Sequence, residues 1–180
     1  MLEALTRRQA PNGAGGAERG FTAIELMVVL AIVAVLAGLA GPGLQQYLGN
    51  QRARNASYDL VDALSLARSE AITRGRDFSA CQAAGGWANG WTTQPDCAVA
   101  ANVMATQAPL PGIRIAAGSH CSALAQVTYG RDGRSTGAAS TKFLIAPAAS
   151  SQTQGLRCVS IGLSGVPATT VVATAAACSC

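Results

Sequence analysis

Polar and apolar positions divide the chain into three stretches. Residues 1–20 are polar, with Arg7, Arg8 and Arg19 among Pro11, Gly13, Gly15 and Gly16, and have no helical apolar period. They read as a flexible leader. Residues 21–41 are then apolar with one charge, Glu25. About 20 such residues form a helix long enough to cross a bilayer core. The basic residues ahead of the run place the N-terminus in the cytoplasm and everything after Pro42 outside. Pro42, flanked by Gly38, Gly41 and Gly43, is expected to kink the helix or melt it locally. Helical periodicity resumes with Leu60, Leu64, Ala67 and Ala71 on one face, and Asp59, Asp62, Arg68 and Glu70 around it. Gly75 suits a C′ stop, with Arg74 at the negative helix end. A straight helix over 21–74 would measure roughly 80 Å. Its first half is expected in the membrane and its second half, 42–75, on a folded domain.

After Gly75 the pattern changes to short apolar or β-branched runs between turn residues. The expected strands are 77–82, 90–93, 113–116, 126–129, 142–146, 156–161 and 169–174. Gly85-Gly86, Pro109 to Gly112, Asp132-Gly133 and Pro167 signal turns, and 94–112 and 147–155 are expected as loops. There is no internal repeat. The fold class is α+β, with a long N-terminal helix packed against antiparallel sheets formed by residues 76–180.

Composition narrows this picture. The 180 residues are 49% hydrophobic, 4% aromatic and 12% charged. That excludes a disordered chain, which lacks apolar residues and carries high net charge. A net charge of +4 is too small to argue for nucleic acid by itself. All six cysteines, Cys81, Cys97, Cys121, Cys158, Cys178 and Cys180, follow the apolar run. An even number outside a membrane segment suggests disulfides in an oxidising compartment. Cys81 and Cys97 bracket a turn-rich stretch and are the favoured pair. Zinc is the competing reading, but Cys178 and Cys180 lie too close for the usual CxxC knuckle.

Two bland readings of the apolar run are a secretory signal cleaved near Gly38-Leu39-Ala40 and a plain membrane anchor. Glu25 counts against both, because a carboxylate inside a hydrophobic segment needs a partner. The run also exceeds the usual 7–15 residues of a signal core. The segment Arg19-Gly20-Phe21-Thr22-Ala23-Ile24-Glu25-Leu26-Met27-Val28-Val29 resembles the prepilin signature of type IV pilins and type II secretion pseudopilins. The resemblance implies cleavage by prepilin peptidase between Gly20 and Phe21, N-methylation of Phe21, and pairing of Glu25 with the Phe21 amine of a neighbouring subunit. Before assembly, Glu25 is expected to snorkel to the membrane face. Ala23 stands where Leu is more usual, and the leader is long.

Further motifs narrow the family. Ala67-Arg68-Ser69-Glu70-Ala71-Ile72, Trp87-Ala88-Asn89-Gly90-Trp91 and Val127-Thr128-Tyr129-Gly130-Arg131-Asp132-Gly133 resemble segments of the H-type pseudopilin and FimT minor-pilin (GspH/FimT) family. The chain departs from that family at Gly162-Leu163-Ser164-Gly165-Val166-Pro167, where a Gly-Arg motif is often found. The resemblance implies a pilin-like fold and a minor pilin or pseudopilin of the type IV pilus or type II secretion pseudopilus, in a tip or priming complex. Its partners would be other pilins or pseudopilins, prepilin peptidase and the bacterial inner membrane, with the C-terminal domain in the periplasm. Trp87 and Trp91 are expected to be structural, in a hairpin. Arg68 and Glu70 are expected at the solvent with local hydrogen bonds, the alternative being that one anchors the sheet to the helix.

Catalysis has little support. The lone His120 neighbours Cys121, an expected disulfide cysteine, Asp96 and Asp132 form no persuasive acid–base pair, and no nucleotide, zinc-protease or serine-hydrolase motif occurs. No cofactor is expected. DNA is the rival partner, with Arg131 and Arg134 as candidate phosphate contacts in a glycine turn. Without residues 1–20 the chain has ten basic and seven acidic residues, a net of +3 (10 − 7), which is a modest field for counterion release.

Overall fold

The computed structural model describes residues 20–99, 102–117, 124–136, 141–148 and 155–178. Two compact units divide the chain, Met1–Gly41 and Pro42–Cys180. One helix, α1 (Ala23–Arg74), contributes to both and is helical through Pro42. In the first unit its apolar side chains are exposed, with Ile24 and Met27 at 72%.

In the second unit, α1 buries the face its periodicity predicts. Leu60, Leu64, Ala67 and Ala71 are fully buried, and Ala53, Ala56 and Ala63 extend the stripe. Alanine at four-residue spacing brings the helix axis close to what it packs on, and the two leucines fill the gap. The helix ends at Gly75, whose φ of 62° is left-handed. Gly75 N–H donates to Ile72 O and Arg76 N–H to Ala71 O, the paired bonds of a Schellman stop.

Among the described residues, two antiparallel four-stranded sheets complete the unit. The first contains β1 (Phe78–Gln82), β2 (Trp91–Gln94), β3 (Ala105–Gln107) and β5 (Gln126–Tyr129), in the order β3-β2-β1-β5. The second contains β4 (Ile113–Ala117), β6 (Thr141–Pro147), β7 (Arg157–Ile161) and β8 (Pro167–Val171), in the order β4-β6-β7-β8. The helix stripe shares one core with Phe78, Trp87, Trp91 and Tyr129 beside the first sheet, and with Phe143, Ile145, Val159 and Ile161 in the second. The α+β, antiparallel arrangement is therefore as the sequence pattern implies.

Two expectations need correction. The segment expected as a loop over 94–112 contains β3, which pairs Trp91 with Gln107 and Thr93 with Ala105. It is a three-residue edge strand, too short for its side-chain alternation to register. The last strand begins at Pro167, not Thr169, and Pro167 is no turn residue. β8 is an edge strand, where a residue without an N–H is tolerated at the first position.

The Cys81–Cys97 pairing is present, with Cα atoms 5.6 Å apart, and Cys158 pairs with Cys178 at 5.5 Å. Cys121, Cys180 and His120 lie outside the described residues. Among the described residues no cluster of metal-ligating side chains occurs.

Candidate functional site

The start of α1 carries the residues singled out for processing and assembly. Gly20 and Phe21 precede the helix and are exposed, Phe21 at 87%. Thr22 is the N-cap. Its Oγ1 accepts a hydrogen bond from Glu25 N–H at 3.3 Å, and Glu25 Oε2 accepts one from Thr22 N–H at 3.3 Å. This is a reciprocal capping box. The threonine followed three residues later by glutamate at the head of an apolar run was a legible signal, and the pilin-like reading of Glu25 passes over it. A carboxylate in the first turn also faces the positive end of the helix dipole.

Arg68 sits elsewhere, on the second unit, and does more than the surface expectation allowed. Its Nε donates to Gly133 O at 2.9 Å, and a terminal nitrogen lies 3.5 Å from Ser164 O. It thereby ties α1 to the β5 turn and to the loop before β8. Those two loops touch: a Cβ on Gly165 would lie 2.1 Å from Gly133 O. Gly165 also has φ 76°, so this position accepts glycine on both counts. Glu70 follows the local expectation and pairs with Arg74 one turn on.

Trp87 and Trp91 are structural. Trp87 lies in a 3-10 turn in the β1–β2 connection, packs edge-on against Phe143 with centroids 5.0 Å apart, and donates its indole N–H to Leu124 O at 2.6 Å. Gly90 between them has φ 103°, and a Cβ there would lie 2.2 Å from Gln107 O. The close pass of β3 therefore demands glycine.

Arg131 and Arg134 are exposed on the turn after β5. Asp132 lies between them and accepts the Arg134 backbone N–H at 3.1 Å. Asp96 does the same for Ala98 N–H at 2.9 Å. Both carboxylates serve their own turns. Asp59 and Asp62 border a cleft with Trp91 and Gln107. Burial, and then the charge of Asp62, push the Asp59 carboxyl above its ordinary value.

Residues 56–165 match the family model described as type II transport protein GspH. The chain belongs to the GspH family. Residues 16–41 match the prokaryotic N-terminal methylation motif, which covers Gly20, Phe21 and the capping box. A fimbrial protein of Moraxella nonliquefaciens is 40% identical over 63 residues, 35% of this chain and 40% of that one. A fimbrial protein of Pseudomonas aeruginosa is 41% identical over 62 residues, 34% of this chain and 40% of that one. The chain thus spans about two-fifths of the length of the curated relatives it matches. The type IV minor pilin FimU of Pseudomonas aeruginosa superposes with a TM-score of 0.58 at 21% identity, over 66% of this chain and 92% of that one. That likeness establishes the fold. The chain is thus a GspH-family member with a pilin-like fold.

Proposed function

We propose that this chain is a minor pilin or pseudopilin, cleaved between Gly20 and Phe21 by prepilin peptidase, N-methylated on Phe21, and built with other pilins into a type IV pilus or type II secretion pseudopilus. Residues 1–20 are the cytoplasmic leader, 21–41 the inner-membrane and filament-core helix, 42–75 its amphipathic continuation, and 76–180 the periplasmic domain. The observation that carries this reading is the methylation-motif match over residues 16–41 ahead of a GspH match over 56–165. Among the described residues no single helix is long and apolar enough to cross a membrane, but Ala23–Gly38 and Gly43–Arg74 taken together have that length and composition.

Cleavage creates an amine at Phe21, four residues before Glu25. A neighbour's amine at 4 Å gains about 4 kcal/mol at an effective dielectric near 20, before desolvation. The Glu25 carboxylate already accepts Thr22 N–H, so it enters the pair pre-oriented. The charge pair sets register, while exposed apolar stripes such as Ile24, Met27 and Val28 supply contact area. DNA binding through Arg131 and Arg134 is less well supported, because Asp132 offsets part of that turn's charge.

Mass spectrometry of the chain extracted from its host membrane tests the proposal. The mature polypeptide should begin with methylated Phe21; any other N-terminus overturns it.

A further inference from the structure

Charge is distributed unevenly over the second unit. After residue 42 the side chains include ten basic and six acidic residues, a net of +4 (10 − 6). Close approaches fix what lies level with the first turns of α1 in this unit. A Cβ on Gly49 would be 3.3 Å from Pro147, one on Gly155 would be 2.1 Å from Asn50 Oδ1, and one on Gly112 would be 3.5 Å from the Arg52 guanidinium. Register sets Ile113 opposite Pro147 and Arg157 opposite Ile145. Arg52, Arg54, Arg114 and Arg157 therefore share the end of the unit at which the chain enters from residue 42.

The six acidic residues lie further along. Asp59 and Asp62 border the β2–β3 cleft. Glu70 is near the helix C-terminus, Asp77 just precedes β1, Asp96 follows β2 at the same end, and Asp132 is on the turn that Arg68 grips. The other six basic residues accompany them, so that remainder is neutral (6 − 6) and four arginines carry the whole net charge. Arg52, Arg54 and Arg114 are exposed. The Nε of half-buried Arg157 is buried with no hydrogen-bond partner. Leu44, Tyr47 and Leu48, at helical spacing on the same turns, are 57%, 59% and 44% exposed.

We infer that this end of the domain docks on anionic phospholipid headgroups of the periplasmic leaflet. The inference rests on the membrane-anchored reading above. Arginine forks match phosphate oxygens, and tyrosine beside leucine suits the headgroup boundary. The helix rises roughly 15 Å from Pro42 to Arg52, a span that a long arginine side chain shortens by turning toward the phosphates; Arg54, whose guanidinium lies 5.7 Å from the Tyr58 ring, exchanges that contact for a headgroup on docking. Docking holds the unassembled domain against the bilayer, and its hold weakens where the leaflet is neutral or salt is high.

The test uses the full chain reconstituted in vesicles of phosphatidylcholine, with or without phosphatidylglycerol, each containing a dansyl-headgroup lipid. Trp87 and Trp91 serve as native energy donors. Energy transfer should be higher with phosphatidylglycerol and fall to the phosphatidylcholine level in high salt. The variant Arg52→Gln/Arg54→Gln/Arg114→Gln should lose the phosphatidylglycerol effect, at about fivefold in the docking equilibrium for each arginine. Wild-type chain that floats with both vesicles but transfers equally in both overturns the docking alone. A variant that keeps the full phosphatidylglycerol effect overturns the assignment to these arginines. Failure to float with either vesicle overturns the anchored reading, and the docking with it.

Discussion

Thr22 and Glu25 bond to each other reciprocally, side chain to backbone, each at 3.3 Å. The carboxylate proposed to meet a neighbour's amine is thus already held at the head of its own helix. An acceptor fixed by its own N-cap needs less ordering when the partner arrives, so local capping and assembly draw on the same oxygen.

That double use can be separated by substitution. Glu25→Gln keeps an oxygen for Thr22 N–H and removes the charge, whereas Thr22→Ala removes the cap and keeps the charge. Thr22→Ala should weaken the helix start by about 1 kcal/mol, seen as faster amide exchange over residues 22–26 in detergent. Glu25→Gln should leave that exchange nearly unchanged but lower co-purification with partner pilins. Equal co-purification of Glu25→Gln and wild type would remove the charge pairing.

Arg68 connects α1 with two loops that are 65 and 96 residues away in sequence. Arg68→Ala leaves Gly133 O without its side-chain donor and should cost about 2 kcal/mol, the range for a hydrogen bond to a charged group. Lysine reaches one carbonyl but not in the same fork, so Arg68→Lys should recover part of the loss. Denaturant unfolding of the detergent-solubilised chain, followed by tryptophan emission, measures both. A variant with unchanged midpoint would make the contact incidental.

The sequence pattern was legible where period and composition are strong. The buried helix face around Leu60 and Ala67, the stop at Gly75 and the Cys81–Cys97 pair follow from local rules, and the structure carries them all. β3 was not legible, because an edge strand of three residues is held by the register of β2 and not by its own residues. Arg68 was legible only as the alternative, that one of Arg68 and Glu70 anchors the sheet to the helix, and its partners were not. Its partners are backbone carbonyls of distant loops, and a carbonyl leaves no trace in side-chain sequence. The Gly162-to-Pro167 segment looked like a departure from the family pattern. In the fold its glycine at 165 lets the loop lie against Gly133, and Ser164 O faces Arg68.

Among the described residues, two disulfides close short spans, 16 residues for Cys81–Cys97 and 20 for Cys158–Cys178. On chain-entropy grounds a loop of that size contributes about 3 kcal/mol. Cys81→Ser/Cys97→Ser should therefore lower the unfolding midpoint clearly while the β1–β2 pairing survives, since backbone bonds and the Trp87–Phe143 contact remain. Calorimetry of oxidised and double-variant protein checks this. Identical midpoints would mean that the bridge does not constrain the unfolded chain.

Tyr129 gives the fold an alkaline limit. Its side chain is fully buried in the core and its hydroxyl has no hydrogen-bond partner. Burial raises its pKa from 10.0 to about 12, against a smaller lowering by the Arg68 charge. Between those values the folded state keeps a proton that the unfolded chain has released. Folding stability is therefore full below pH 10.0 and falls as pH rises toward about 12, by about 2 kcal/mol from this group. Tyr129→Phe removes both the proton and an unsatisfied polar atom while leaving the ring, so it should be neutral or stabilising by about 1 kcal/mol at pH 7. Its stability should then decline less on the alkaline side than that of wild type. Denaturant midpoints across that range decide the matter. If the two chains decline in parallel, the Tyr129 phenol is not the group that titrates.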